Sequence, residues 1–450
     1  MMKLIPFSQL KEGEIASNDF YSEKGELLIS KGVVINKNHL NMLERRNIFE
    51  LYVKPSSEEE IITSLINKEF DKLEKIDIEE PAQKEIPEFN KIKKGKDGLI
   101  QLLSSKKAHE LDKKLGITPD RPIGPALKNK ATEMTVSQRT PHYKNNIATA
   151  YDGALKEVKF ILDTLARGGN IDGKQVKNIV EKFVNIFITD RNILLNISGI
   201  KHKNEDYIYH HSLNVCLLTI NIAASAGYNE NQVIEIGMGA LLHDIGMLLI
   251  PKEIRTKQSR LAKEEWYEIQ KHPILGLHLL EKVSKMPETV PYVAYQIHER
   301  ENSTGYPKKR NSLLIHRFAK LSQVADVYEA MTSPRSYRKP YIPHEGIIRI
   351  IKMSKAGLIP GEYVKAFLEY SSVYPVGSLV ELSDHTIAKV IQANKNSLSK
   401  PVVSVVTNSK GKILNKSSIF QIDLSKNTNL QVIKALPYDY LNDIDIMDGF

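Results

Sequence analysis

Leu242-His243-Asp244-Ile245-Gly246 sets a histidine and an aspartate side by side inside an otherwise apolar run. Burying both groups is costly unless a partner compensates, and a divalent metal suits an imidazole beside a carboxylate. Such a pair alone is more often structural or a helix-surface feature. Its company raises it, because nine of the chain's 13 histidines fall between His202 and His344.

Working outward, Val233, Ile236, Ala240 and His243 recur at helical spacing behind Asn229, a residue suited to capping a helix start. That spacing turns His243 to a buried face. On a helix starting near Tyr209, residues His211, Val215, Leu218 and Ile222 share one face, so His211 points inward and His210 less so. A helix from about Lys263 carries Trp266, Ile269 and His272 up to Pro273. Then come Tyr295-Gln296-Ile297-His298-Glu299-Arg300 and the turn-rich Asn302-Ser303-Thr304-Gly305-Tyr306-Pro307. A long helix from Ile315 to Met331 puts Phe318, Leu321, Ala325 and Tyr328 near one face with Asp326 at its border. One acid or imidazole from each of several helices is how a metal site is built in a bundle core.

The rest of the chain frames this segment. At 450 residues it exceeds one ordinary core, and the expectation is about two to four domains. Hydrophobic residues make up 41% and charged residues 26%, a globular balance, and no apolar run approaches the roughly 18 to 20 residues a membrane span needs. Met1-Met2-Lys3-Leu4-Ile5-Pro6 lacks the apolar core of a secretory signal, and a single cysteine, Cys216, excludes a disulfide framework and thiolate clusters. These features point to the cytoplasm. The net charge of +9 comes from dispersed lysines; it argues for solubility before polynucleotide binding, and it is compatible with a small phosphorylated ligand.

The expected fold is mainly α, a helical bundle with a small mixed module before it and a small β-rich appendage after it. Residues 1–54 read as a regulatory or docking module, with short β-type runs around Phe20, Leu27-Leu28-Ile29 and Leu51-Tyr52-Val53. Residues 55–142, rich in charge and proline, read as a linker that is partly disordered. Residues 143–372 form the helical domain, in which helices marked by Val158, Ile161, Leu162, Leu165 and by Val176, Ile179, Val180, Phe183 pack without chemistry. Residues 373–450 form the appendage, with strands predicted in Val376–Leu382, Ile387–Ile391 and Pro401–Val406.

Imidazoles and carboxylates without thiolate suit iron, manganese, zinc or nickel better than calcium or magnesium. A carboxylate such as Asp244 shared by two ions would let them stabilise both the entering and the leaving oxygen of a phosphodiester. Ser333-Pro334-Arg335-Ser336-Tyr337-Arg338-Lys339 offers guanidinium forks for phosphate just beyond the Asp326 helix. Taken alone, that stretch would be a solvated helix end whose cations face the C-terminal dipole.

The order His211, His243-Asp244, His272, His298-Glu299-Arg300, Gly305-Tyr306-Pro307, Asp326 resembles the HD-GYP family of HD-domain phosphohydrolases, bacterial enzymes that hydrolyse cyclic di-GMP to pGpG or GMP. The likeness spans about residues 145–370 and includes Val324-Ala325-Asp326-Val327-Tyr328-Glu329-Ala330-Met331. The resemblance implies an HD-type bundle and two divalent transition metals held by His211, His243, Asp244, His272, His298 and Asp326, with His243 and Asp244 at the catalytic centre. It also implies a substrate-side loop at Gly305, Tyr306 and Pro307, and phosphate contacts at Arg335 and Arg338. A homodimer or a signalling protein is the further partner left open. The chain departs from the family pattern at Ile297, where a second histidine usually precedes the Glu-Arg; at Met247, commonly lysine; at Tyr207, a glutamate in members with a third metal; and at Asn302-Ser303, usually Asp-Gly. The leading expectation is therefore a cyclic di-GMP phosphodiesterase. The alternatives are a degenerate relative that binds cyclic di-GMP or a partner without turnover, and a hydrolase for another nucleotide.

Overall fold

The computed structural model describes residues 3–53, 106–198, 207–334 and 340–440, apart from scattered stretches of one to three residues inside those spans. Contacts divide the chain into two compact units, Met1–Glu79 and Glu80–Phe450.

Among its described residues the first unit has a four-stranded antiparallel sheet and one helix. Its strands β1 (Lys3–Pro6), β2 (Phe20–Tyr21), β3 (Leu27–Ile29) and β4 (Glu50–Val53) lie in the order β1-β4-β2-β3. Helix α1 (Lys37–Arg45) starts at a capping box, in which the Asn36 side chain accepts from the His39 amide and the His39 ring accepts from the Asn36 amide. Phe20, Ile29, Leu43 and Leu51 form a small core between sheet and helix.

The second unit is mostly helical. In chain order it contains α2 (Lys106–Lys114), α3 (Pro141–Ala166), α4 (Gly173–Thr189), α5 (Ile193–Ser198), α6 (Tyr207–Ser225) and α7 (Glu230–Leu242). There follow α8 (Lys252–Arg255), α9 (Lys263–Ile269), α10 (His272–Leu280), α11 (Val290–Gln296), α12 (Arg317–Thr332), α13 (Pro343–Lys355) and α14 (Gly361–Ser371). Two short strands, β5 (Ile171–Asp172) and β6 (Val283–Ser284), pair in parallel. Helix α6 is the axis: nearly all its residues are buried, and α5, α7, α12 and α14 all pack on it. A helix apolar on almost every face has to be surrounded in this way.

The stretch Glu230–Leu249 is helical and, by length and hydropathy alone, would pass for a membrane span, but 78% of its most apolar 18-residue window is buried inside the fold. It is a core element. Its start is the predicted one, with Asn229 accepting from the Gln232 amide in a capping box. After Leu242 the α-helix gives way to a 3₁₀ turn, Ile245–Leu249, that crosses the start of α10. Gly246 permits the crossing, since a Cβ there would lie 2.0 Å from the His272 carbonyl oxygen and 2.6 Å from the Gly276 nitrogen.

Beyond α14 a five-stranded antiparallel sheet is formed by β7 (Leu379–Leu382), β8 (Ile387–Gln392), β9 (Val402–Val405), β10 (Phe420–Asp423) and β11 (Val432–Leu436), in the order β10-β9-β8-β7-β11. The first three are the predicted strands. The two edge strands were not predicted: β10, Phe420-Gln421-Ile422-Asp423, alternates over only four residues, β11 does not alternate, and Phe420 and Ile433 are exposed.

Of the expected linker, residues 55–105 lie outside the described residues. From Lys106 the chain is docked on the bundle: Ala108 and Leu111 of α2 are buried against Ile274, Leu277, Tyr292 and Tyr295. Two apolar residues one turn apart sufficed to anchor a helix whose other residues are mostly charged.

A buried ion pair ties the start of α3 to the end of α4. Arg139 donates through Nε and an Nη to the two oxygens of Asp190 at 2.6 and 2.8 Å, and both side chains are almost fully buried. Removing one partner strands a buried charge. Asp190→Ala should destabilise the protein by about 3–5 kcal/mol in urea unfolding, whereas Arg139→Met with Asp190→Leu should recover most of the loss. Equal midpoints for the single mutant and the wild type would contradict this.

Candidate metal centre

The candidate ligand side chains come from helix ends more than from helix middles. His211 lies in the first turns of α6, His243 caps the end of α7 and Asp244 follows it. His272 is the first residue of α10, His298 stands two residues beyond α11, and Asp326 lies inside α12. All of them are buried.

Asp244 is the point of convergence. Its Oδ1 lies 3.4 Å from His243 Nε2, 3.2 Å from His272 Nε2 and 3.4 Å from His298 Nε2, and its Oδ2 lies 3.4 Å from His211 Nε2. Asp326 faces the same space from the other side, with Oδ1 3.3 Å from His211 Nε2 and 3.8 Å from His243 Nε2, and Oδ2 3.5 Å from His298 Nδ1. Two donor triads have a spacing suited to an ion: His211, His243 and Asp326, and His243, Asp244 and His298. His272 belongs to neither triad but faces the Asp244 carboxylate.

The tautomers follow from the outer partners. His243 Nδ1 lies 2.7 Å from the Ala240 carbonyl oxygen and His272 Nδ1 2.8 Å from that of Ile269. A carbonyl only accepts, so each Nδ1 carries the proton and each Nε2 turns a lone pair to the centre. Both Nε2 atoms are buried and make no hydrogen bond. Orphaned lone pairs aimed at carboxylates are costly for a bare protein and are the donor set that a transition metal takes up. Buried His and Asp groups that could bind metal ions are thus present.

The electrostatics agree. Burial would push the Asp244 carboxyl up, but His243, His272 and His298 outweigh it and hold the group well below the usual carboxylate range. Asp326 is likewise held low, with burial opposed by the His211 hydrogen bond and by His298 and His243. Burial lowers His243, and it takes His298 down to about 4, so both rings are neutral at pH 7.

Sequence reasoning missed the layer behind these groups. Glu329, one turn after Asp326 on α12, is buried and hydrogen-bonded to His211 Nδ1. It also accepts from Ser333 Oγ at 2.6 Å and from Asn214 Nδ2 at 3.4 Å, and Asn214 Oδ1 accepts from Tyr151 at 2.9 Å. The i, i+3 spacing of Asp326 and Glu329 was the available signal. Glu299, fully buried, accepts at 2.8 Å from the backbone amides of both Lys308 and Arg310, and so fixes the loop that contains Gly305-Tyr306-Pro307. Arg310 in turn pairs with Asp112 on α2.

The loop reaches the centre through Tyr306, whose ring stacks on His298 with centroids 5.0 Å apart and planes 11° apart. Gly305 and Pro307 are buried, and a Cβ on Gly305 would lie 2.4 Å from the Arg300 nitrogen, so the loop can close on Glu299-Arg300 only as glycine. Arg335 and Arg338, the expected phosphate contacts, lie outside the described residues. Of the departures, Ile297 is fully buried, while Met247 and Tyr207 share one apolar cluster with Ile208, Ile250 and Ile269.

Residues 200–359 match the HD domain family, and residues 379–443 match a KOW domain associated with the HD domain. A cyclic di-GMP phosphodiesterase of Pseudomonas aeruginosa is 31% identical over 55% of this chain and 59% of its own length. A cyclic di-GMP phosphodiesterase of Borreliella burgdorferi is 28% identical over 51% of this chain and 60% of its own length. A 3'3'-cGAMP-specific phosphodiesterase of Vibrio cholerae is 25% identical over 36% of this chain and 31% of its own length. The chain thus spans less than two thirds of each of these relatives.

Outer carboxylates behind a ligating imidazole commonly govern affinity. Glu329→Gln should lower manganese affinity about 10- to 100-fold in calorimetric titration without shifting the unfolding midpoint by more than a few degrees. An unchanged affinity would mean that the His211–Glu329 contact serves packing alone.

Proposed function

Because the chain carries an HD domain whose core gathers buried imidazoles around a carboxylate, we propose that it is a metal-dependent phosphodiesterase that hydrolyses cyclic di-GMP to pGpG or GMP, working in the cytoplasm. The observation that carries this reading is the pair of orphaned Nε2 atoms, on His243 and His272, aimed at Asp244.

In this reading His211, His243, Asp244 and Asp326 hold one divalent ion, and Asp244, His272 and His298 contribute to a second. Iron, manganese, nickel or zinc would supply Lewis acidity for the phosphoryl oxygens and a water acidic enough to attack near pH 7. The remaining work falls to the chain. Asp244 and Asp326 stay anionic across neutral pH, so neither is a proton donor to the departing oxygen. His298 stays neutral, presents lone-pair nitrogen to the centre and backs the Tyr306 ring. Glu299 keeps the Gly305-Tyr306-Pro307 loop beside it, with Arg335 and Arg338 proposed for the phosphate. Residues 1–54 are proposed as the regulatory or docking module, with a homodimer or signalling protein as its partner.

A second reading, binding of cyclic di-GMP without turnover, is favoured by the apolar packing of Tyr207 and Met247 and by the burial of Ile297. These positions offer no nitrogen or carboxylate to an ion or a phosphate.

The purified chain supplied with manganese, iron or nickel should convert cyclic di-GMP to pGpG and lose that activity on chelation. His243→Ala should reduce the rate by more than about 100-fold, beyond the effect of losing an outer partner. Product separated by chromatography gives the rate, with 3'3'-cGAMP run in parallel to rank the two substrates. Bound metal and bound cyclic di-GMP with no product would establish the second reading instead.

A further inference from the structure

The sequence places Trp266, Ile269 and His272 on one helix from about Lys263. The structure separates them: Ile269 and His272 are buried, while Trp266 keeps 42% of its surface exposed. A half-exposed tryptophan on a surface helix is ordinary by itself. What distinguishes Trp266 is its neighbour. Its ring meets Tyr306 in a T-shaped contact at 6.0 Å and 81°, and Tyr306 is stacked on His298 at 5.0 Å and lies edge-on to His272 at 5.9 Å. An aromatic surface therefore runs from the imidazoles at the centre, across Tyr306, to a tryptophan open to solvent.

Helix α9 is held in place for this. The Glu265 carboxylate accepts from the Ala262 amide at 2.7 Å and takes two contacts from Lys257, at 2.6 and 2.8 Å, fixing the turn that bears Trp266. The ring is thus pre-positioned at little entropic cost on binding. A nucleotide has matching chemistry, with a phosphate for the centre and, across one sugar, a flat π-surface for the tryptophan.

We infer that Trp266 is the stacking platform for a purine base of the substrate, with Tyr306 as the wall between base and phosphate; this rests on the phosphodiesterase reading above. Stacking on an aromatic face is tolerant of base identity. Trp266 therefore supplies affinity for the dinucleotide, and the choice between cyclic di-GMP and 3'3'-cGAMP is made elsewhere.

Trp266 is the chain's single tryptophan, so its fluorescence reports this position alone. GMP and pGpG titrated into the full chain should quench it saturably, and ribose 5-phosphate should not; N-acetyltryptophanamide in the same titrations corrects for absorption by the base. In turnover assays Trp266→Ala should raise KM for both cyclic dinucleotides about 5- to 100-fold with kcat and metal content little changed, and Trp266→Phe should restore most of the loss. Quenching by ribose 5-phosphate equal to that by GMP, or an unchanged KM in an active Trp266→Ala enzyme, would overturn the inference and leave the phosphodiesterase reading standing. If the wild-type chain turns over no cyclic dinucleotide, that reading falls, and the GMP titration alone decides the base platform.

Discussion

One buried carboxylate sets the terms for the rest of the bundle. Asp244 has four imidazoles within 3.4 Å, and every one of them arrives from a different segment. A charge taken that far from water is tolerable only if its surroundings repay its lost hydration. The helices are accordingly placed by where they end. Helix α7 stops at His243, α10 begins at His272 and α11 finishes just short of His298, so the side chains enter from termini where the backbone changes direction. Gly246 follows from the same constraint, since Asp244 and His272 meet only if two backbones cross at a distance no side chain permits.

Rigidity is supplied by a second layer, each member of which is itself buried and bonded. The backbone carbonyls of Ala240 and Ile269 fix two ring tautomers, and the Glu329 carboxylate, braced by Ser333 and Asn214, fixes the orientation of a third ring. Glu299 does the equivalent for the loop, accepting from two of its amides. Arg310 then extends the network to α2 through Asp112, joining the segment just before the bundle to the loop beside the centre. Of the sites where this chain departs from the HD-GYP pattern, Asn302 and Ser303 lie in that loop, where the Asn302 side-chain oxygen accepts from the Thr304 amide at 3.2 Å. Met247 and Tyr207 lie in one apolar cluster and Ile297 sits in the core, so these three positions contribute packing.

Much of this was legible from residue order alone. Asn229 announced its helix and caps it, the Ile315–Met331 pattern corresponds to α12 at Arg317–Thr332, and His211 faces inward as its stripe implied. These succeed because helical periodicity and capping are local, set by residues three or four apart. The less visible parts depend on distant partners. The expected single helix through Trp266, Ile269 and His272 is two helices, α9 ending at Ile269 and α10 starting at His272, with Trp266 half-exposed and the other two buried. Strands β10 and β11 are edge strands that pair on one side only; β10 alternates over just four residues and β11 not at all. Glu299 and Glu329 are buried acids whose partners, the Lys308 and Arg310 amides and the His211 ring, stand 9, 11 and 118 residues away.

By itself, then, the sequence determined the mainly helical bundle, the β-rich end, and the identity and order of the imidazoles and carboxylates, because residue type and short-range periodicity are local properties. Only the tertiary structure decided which atoms of those groups meet, which nitrogen of His243 and of His272 holds its proton, and that Tyr306 and Trp266 continue the centre outward as an aromatic surface. The physical reason is separation along the chain. His211 and Glu329 stand 118 residues apart and His298 and Asp244 54 apart, and contacts over such distances follow from the packing of whole helices, which no local pattern encodes.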